Sequence, residues 1–95
     1  MDKQVDIEDL SAAFMKLRGQ DEVKAFLQDL LTKSEQETLA MRWKVAQMLD
    51  LGSPYKQIER ETGASSATIA KISEFLKYGY DGYRIVIDRL KKSKT

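Results

Sequence analysis

The chain reads as an all-α protein of six helices, and three observations lead there. Apolar residues recur at helical spacing through most of the sequence and nowhere alternate as a half-buried strand would. Residues that cap helices stand between these apolar segments. Only one proline and five glycines interrupt 95 residues.

The elements follow in order. Ile7, Leu10, Phe14 and Leu17 give a first helix that ends near Gly19. Val23, Phe26, Leu27, Leu30 and Leu31 fall on the i, i+3, i+4, i+7, i+8 rule and give a second from about Asp21. Thr32-Lys33-Ser34-Glu35 is a capping box that opens the longest helix, which runs to about Leu51 before Gly52 stops it. That helix carries two apolar stripes, Leu39, Trp43, Ala46, Leu49 and Met41, Val45, Met48. It therefore needs cover from more than one direction, and a partner subunit is a natural source. Ser53-Pro54 starts a short helix to about Glu61, with Thr62-Gly63 as its stop. Ala64-Ser65-Ser66 caps a helix through about Lys77, closed by Tyr78-Gly79. The last helix, roughly Asp81 to Lys92, contributes Tyr83, Val86, Ile87 and Leu90.

Composition narrows the function classes. Ninety-five residues, 42% hydrophobic and 33% charged, suit one soluble domain, residues 1–95. No apolar run approaches the ~20 residues of a membrane span. The first ten residues are acidic (Asp2, Asp6, Glu8 and Asp9 against Lys3) and lack the order of a signal peptide, so a cytoplasmic location is expected. Without cysteine there is neither a disulfide framework nor a thiolate metal site. Without histidine the commonest general base and metal ligand is missing. No spacing assembles the remaining carboxylates, lysines and hydroxyls into a catalytic set. We therefore expect no enzyme, no cofactor and no metal site. The net charge is only +1, below that of a strong nonspecific DNA binder. Arg84, Arg89, Lys91, Lys92 and Lys94 against Asp88 make a basic end, read as a solvated terminus with phosphate contact as the alternative.

Ser53 to Gly79 has the form of a helix-turn-helix. Ile58 anchors the first helix, Gly63 makes the turn, and Ile69 and Ile72 anchor the second. Ile69, Ile72 and Leu76 form an inward stripe. Ser66, Ala67, Thr68, Ala70 and Lys71 are left on or near the outward face, small and polar enough to enter a major groove. Glu59 departs from the pattern, which usually has a small residue at the helix crossing. Two short helices with a glycine turn also occur as scaffold in domains that never touch nucleic acid.

Leu30 to Lys77 resembles the tryptophan repressor family, and most of all its YerC/YecD-type branch. The residues that carry the resemblance are LLTKSEQETLAMRWKVAQMLDLG and QIERETGASSATIAKISEFLK. Leu31-Thr32 before an acidic helix start, Leu39, Arg42, Gly63-Ala64, Ala67-Thr68-Ile69 and Lys77 match the family pattern. The resemblance implies an intertwined homodimer whose first three helices and last helix build a shared core. It implies double-stranded DNA as partner, in a palindromic operator read by two helices ~34 Å apart. Lys56 matches a phosphate-contact position, and Ser65 begins the reading helix. Ser66, Ala67, Thr68 and Ala70 match positions near base edges or phosphates, and Lys71 and Lys77 complete the DNA-binding set. Another basic family position is Glu59 here.

In the family, two arginines sandwich the indole of L-tryptophan beside a threonine and small residues. Thr32 and Arg42 match the threonine and the first arginine, whereas the second arginine is Lys71, a point charge without the planar fork. A family glycine is Ile72 and a family serine is Phe75, both large. The expectation is that Ile72 and Phe75 fill the site with side chains and that L-tryptophan is not bound. The alternative is another small effector held by Thr32, Arg42 and Lys71. The sequence thus points to a homodimeric, sequence-specific DNA-binding transcriptional regulator, repressor-like and not dependent on tryptophan. The competing reading is a non-enzymatic all-α protein-interaction module that uses the helix-turn-helix as scaffold.

Overall fold

A computed structural model describes residues 5–93. Asp2, Lys3 and Lys94, counted above among the terminal charges, lie outside them. The described residues form six helices and no strand: α1 (Ile7–Phe14), α2 (Gln20–Leu30), α3 (Lys33–Asp50), α4 (Tyr55–Thr62), α5 (Ser66–Tyr78) and α6 (Gly82–Ser93). They fall into two compact units that divide within α3, after Gln36.

The first unit holds α1, α2 and the opening turn of α3. Asp6 caps α1, its Oδ1 accepting the Asp9 N–H at 2.8 Å. The helix ends at Phe14, well short of the expected Gly19. The chain then tightens: Met15, Lys16 and Leu17 donate to carbonyls three residues back, at 3.1, 3.1 and 3.2 Å. Leu17 thus keeps a helical apolar spacing on a backbone that has left the α-helix. Gly19, at φ +86°, turns the chain into α2. Phe14 and Phe26 meet edge to face, their ring centroids 5.2 Å apart. No residue of α1 or α2 is buried. The α3 capping box closes as expected, Thr32 N–H to Glu35 Oε1 at 2.9 Å and Glu35 N–H to Thr32 Oγ1 at 3.2 Å. These bonds hold the Glu35 carboxyl below the usual glutamate range.

The second unit has a core. Val45, Ala46 and Met48 of α3 pack with Ile58 of α4, with Ala64, and with Ile69 and Ile72 of α5. Val45 and Met48 come from one of the two α3 stripes and Ala46 from the other, so much of the two-sided cover comes from the chain itself. Leu39 remains about half exposed. Trp43 stacks on Tyr83 of α6 at 6.4 Å, with the rings 14° apart. The α3 terminus is a double carbonyl cap. The Gly52 N–H bonds Leu49 O and the Ser53 N–H bonds Met48 O, both at 3.0 Å, with Gly52 at φ +80°. At Gly79 the requirement for glycine is steric: a Cβ there would stand 2.5 Å from the Phe75 carbonyl oxygen.

One polar contact ties α3 to α6. Arg84 Nη1 reaches Asp50 Oδ1 at 2.7 Å, and Lys91 Nζ reaches Asp50 Oδ2 at 2.8 Å. The Asp50 side chain is only 9% exposed, and it would be costly to leave there unpaired. The basic end is solvent-exposed as expected, at Arg89, Lys91 and Lys92, but it is not unpaired. α6 is helical through Ser93, and two of its cations are committed to Asp50.

The Lys91 bond, then the Arg84 bond, hold the Asp50 carboxyl below its ordinary value. A carboxyl whose pKa is depressed by folding stabilises the fold above its unfolded pKa, near 3.8, and loses that contribution as pH falls through the lower folded value. Asp50→Asn should therefore lower unfolding stability at pH 7 by about 1–2 kcal/mol, given the partial exposure of both cations. Urea unfolding at stepped pH should show the gap to wild type closing below pH ~4. A gap that persists there would mean that the amide disrupts packing rather than charge pairing.

Candidate nucleic-acid interface

The turn between α4 and α5 is built from short local bonds. Pro54, not Ser53, occupies the cap position of α4, and no side-chain cap bond forms there. Its extended backbone presents a carbonyl that accepts from Gln57 and Ile58 at 3.0 and 3.1 Å. At the other end Gly63 takes the left-handed conformation, φ +76°, and donates to Glu59 O at 2.9 Å. The Thr62 hydroxyl donates to Ile58 O at 2.7 Å and accepts the Ala64 N–H at 3.1 Å. It thereby joins the end of α4 to the turn. Glu59, the departure from the usual crossing residue, is half-buried there, and its carboxylate is in no ion pair with a described residue.

Ser65 is the cap of α5. Its Oγ accepts the Thr68 N–H at 3.2 Å and lies 3.0 Å from Thr68 Oγ1, to which it donates. Thr68 is thus bound into the cap through both its backbone N–H and its hydroxyl oxygen. Successive residues of an α-helix turn by 100°, so burial of Ile69 and Ile72 decides which residues face out. Ala67, Thr68, Ala70 and Lys71 line one shallow hollow on that outward side. Ser65, Ser66, Lys56 and Lys77 are exposed.

The sequence-based set omitted one residue of this hollow. Glu74 lines it too, because it stands one or two turns from Ala67, Ala70 and Lys71 on the same face. Extending the outward face by the helical period would have found it.

The expected effector residues are placed differently. Thr32 is exposed, its hydroxyl bound into the α3 cap, and Arg42 is exposed on α3. Lys71 belongs to the outward hollow of α5. Ile72 is 2% exposed and packs in the core. Phe75 stands outside that core. It is 51% exposed and forms one wall of an open apolar groove of about 550 Å³, with Trp43, Tyr80, Tyr83 and Val86 among the others. Its position on the flank of α5, off the buried stripe, is the reason. Among the described residues no acidic cluster could hold a metal ion, and no helix is long and apolar enough to cross a membrane.

A six-helix chain with a capped, solvent-facing second helix in a helix-turn-helix has the form of regulator-type DNA-binding folds. Comparison with known proteins gives the particular family. The family model described as Trp repressor protein matches residues 5–91. The Bacillus subtilis protein YerC is 40% identical over 90 residues, 95% of this chain and 86% of its own length. A Trp operon repressor homolog of Actinobacillus succinogenes is 38% identical over 72 residues, 75% of this chain and 67% of that one. The crystal structure of a TrpR-like protein from Eubacterium eligens superposes with a TM-score of 0.84 at 40% identity, covering 90% of this chain and 88% of that one. The chain belongs to the Trp repressor family, and its family and fold are those of DNA-binding transcription regulators.

The Ser65 cap separates folding from recognition. Ser65→Ala should cost about 1 kcal/mol in urea unfolding. Ser65→Asp should keep that stability, because aspartate caps as well as serine, while weakening duplex binding through its added charge. Equal binding by the aspartate variant and wild type would remove this end of α5 from the interface.

Proposed function

We propose that the protein is a homodimeric, repressor-like regulator that reads a palindromic operator through α5 and does so without L-tryptophan. The observation that carries this reading is the outward face of α5. Ala67, Ala70 and Lys71 stand opposite the buried Ile69 and Ile72, on a capped helix, in a chain of this family. Short side chains there let the helix backbone approach base edges, and alanine methyls suit the thymine methyl. Thr68 offers its hydroxyl proton to a phosphate or base acceptor, and Lys56 and Lys77 supply phosphate contacts on either side.

Independence from tryptophan is supported by Ile72, whose side chain is part of the core, and by Lys71, which lacks the stacking plane of an arginine. Dimerisation is supported by the first unit. Its two helices carry apolar faces yet bury no residue, and Val5, Ile7, Met15 and Leu30 are exposed. A second copy would supply the missing cover.

Selection from a random duplex pool, with and without L-tryptophan, should recover the same palindromic motif in both conditions. On that duplex, log affinity should fall linearly with log salt. Lys56→Ala and Lys77→Ala should each make that slope shallower by about one for every phosphate the lysine had neutralised, while leaving sequence preference intact. A motif recovered only with L-tryptophan would overturn the effector-free reading. No motif in either condition would favour a protein-interaction role.

A further inference from the structure

We propose that Glu74 is a specificity-determining residue, reading a cytosine beside the base pair contacted by Lys71. The inference rests on the DNA-binding reading above and sharpens it. Glu74 and Lys71 are the two long side chains in the hollow, where Ala67, Ala70 and Thr68 are short. Both are exposed, and neither forms an ion pair with a described residue, although Lys71 and Lys77 each lie three residues from Glu74. Their polar heads are therefore free to bind something else.

Position and chemistry then select the target. Glu74 lies opposite the Ile69–Ile72 stripe, so it points where the helix would meet a groove floor rather than toward the flanking strands. Against phosphate a carboxylate would be repelled. Against base edges it needs a donor with no acceptor beside it, since both of its oxygens accept. Cytosine N4 provides that donor. Adenine N6 is less suited, because the neighbouring N7 is an acceptor that would repel the second carboxylate oxygen. Lys71 and Glu74 stand about 4.5 Å apart along one helix face, far enough for their heads to address different base pairs. Lys71 can then donate to guanine O6 or N7 on one pair while Glu74 accepts from cytosine N4 on the next.

The test is duplex selection with wild type, Glu74→Gln and Glu74→Ala. Helix content and unfolding of each are measured first, and this exposed position should leave them unchanged. Wild type should prefer cytosine at one position per half-site by about tenfold or more. Glutamine, which pairs a donor with an acceptor, should move that preference to adenine, and alanine should relax it, with every other position unaltered. The same motif from all three proteins would overturn the assignment, even if Glu74→Gln bound more tightly, since Glu74 would then only oppose phosphate. A wild-type selection without any motif would overturn the DNA-binding reading itself, and this assignment with it.

Discussion

Burial of Ile69 and Ile72 against Val45, Ala46, Met48 and Ile58 is the contact on which the rest of the head depends. A helix has one rotational freedom about its axis, and fixing two residues inward fixes every other side chain. Burying an isoleucine is worth about 1.5–3 kcal/mol. The Ser65 cap contributes about 1 kcal/mol, and exposed ion pairs less. Packing therefore sets the rotation of α5, while the cap sets where the helix begins. Gly63 and Thr62 have a complementary role: they fix how sharply the chain turns, so that both isoleucines reach the same core as Ile58.

Charge works by placement here, not by quantity. From Ser53 to Gly79 the cations Lys56, Arg60, Lys71 and Lys77 face the anions Glu59, Glu61 and Glu74. Glu61 is partly occupied by Gln57, whose amide donates to it at 2.7 Å. In α6, Arg84 and Lys91 are held by Asp50 and add little to any external field. A head this nearly neutral gains little from phosphate attraction on arbitrary DNA, where salt-dependent electrostatics supply almost all the affinity. Regulation depends on the ratio of specific to nonspecific binding, so weak nonspecific attraction is an advantage when base contacts discriminate. In the proposed DNA-binding role, a carboxylate on the outward face of α5 fits that logic, since it would oppose wrong sequences as well as favour a right one.

Much of this was legible in the sequence where local chemistry decides the outcome. Thr32 with Glu35, Ser65 before α5, and Gly52 and Gly63 as helix ends are all short-range signals, and each appears as read. One misreading arises because apolar spacing reports where side chains lie and not what the backbone does. Leu17 keeps the helical period after the helix has ended. At Ser53-Pro54 two cap signals competed, and the proline's extended backbone took the position. The Asp50–Arg84 bond spans 34 residues, and nothing local to either residue announces it.

The two units differ in what they can hold by themselves. The helix-turn-helix and the α3 segment beneath it share a core with several nearly inaccessible side chains. The orientation of the outward face of α5 is therefore a property of one chain. Among its described residues the first unit has an edge-to-face phenylalanine pair and no buried residue. Ordering a backbone costs roughly 1–2 kcal/mol per residue, and two helices that bury so little cannot offset that cost alone. In the proposed dimer their apolar faces would be satisfied by a second copy. What each head reads and how far apart two heads stand would then be set by different contacts. The α5 core governs the first, and the apolar faces of α1 and α2 govern the second. Base preference can in that case change at Glu74 or Lys71 without disturbing half-site spacing, because neither side chain contributes to any core.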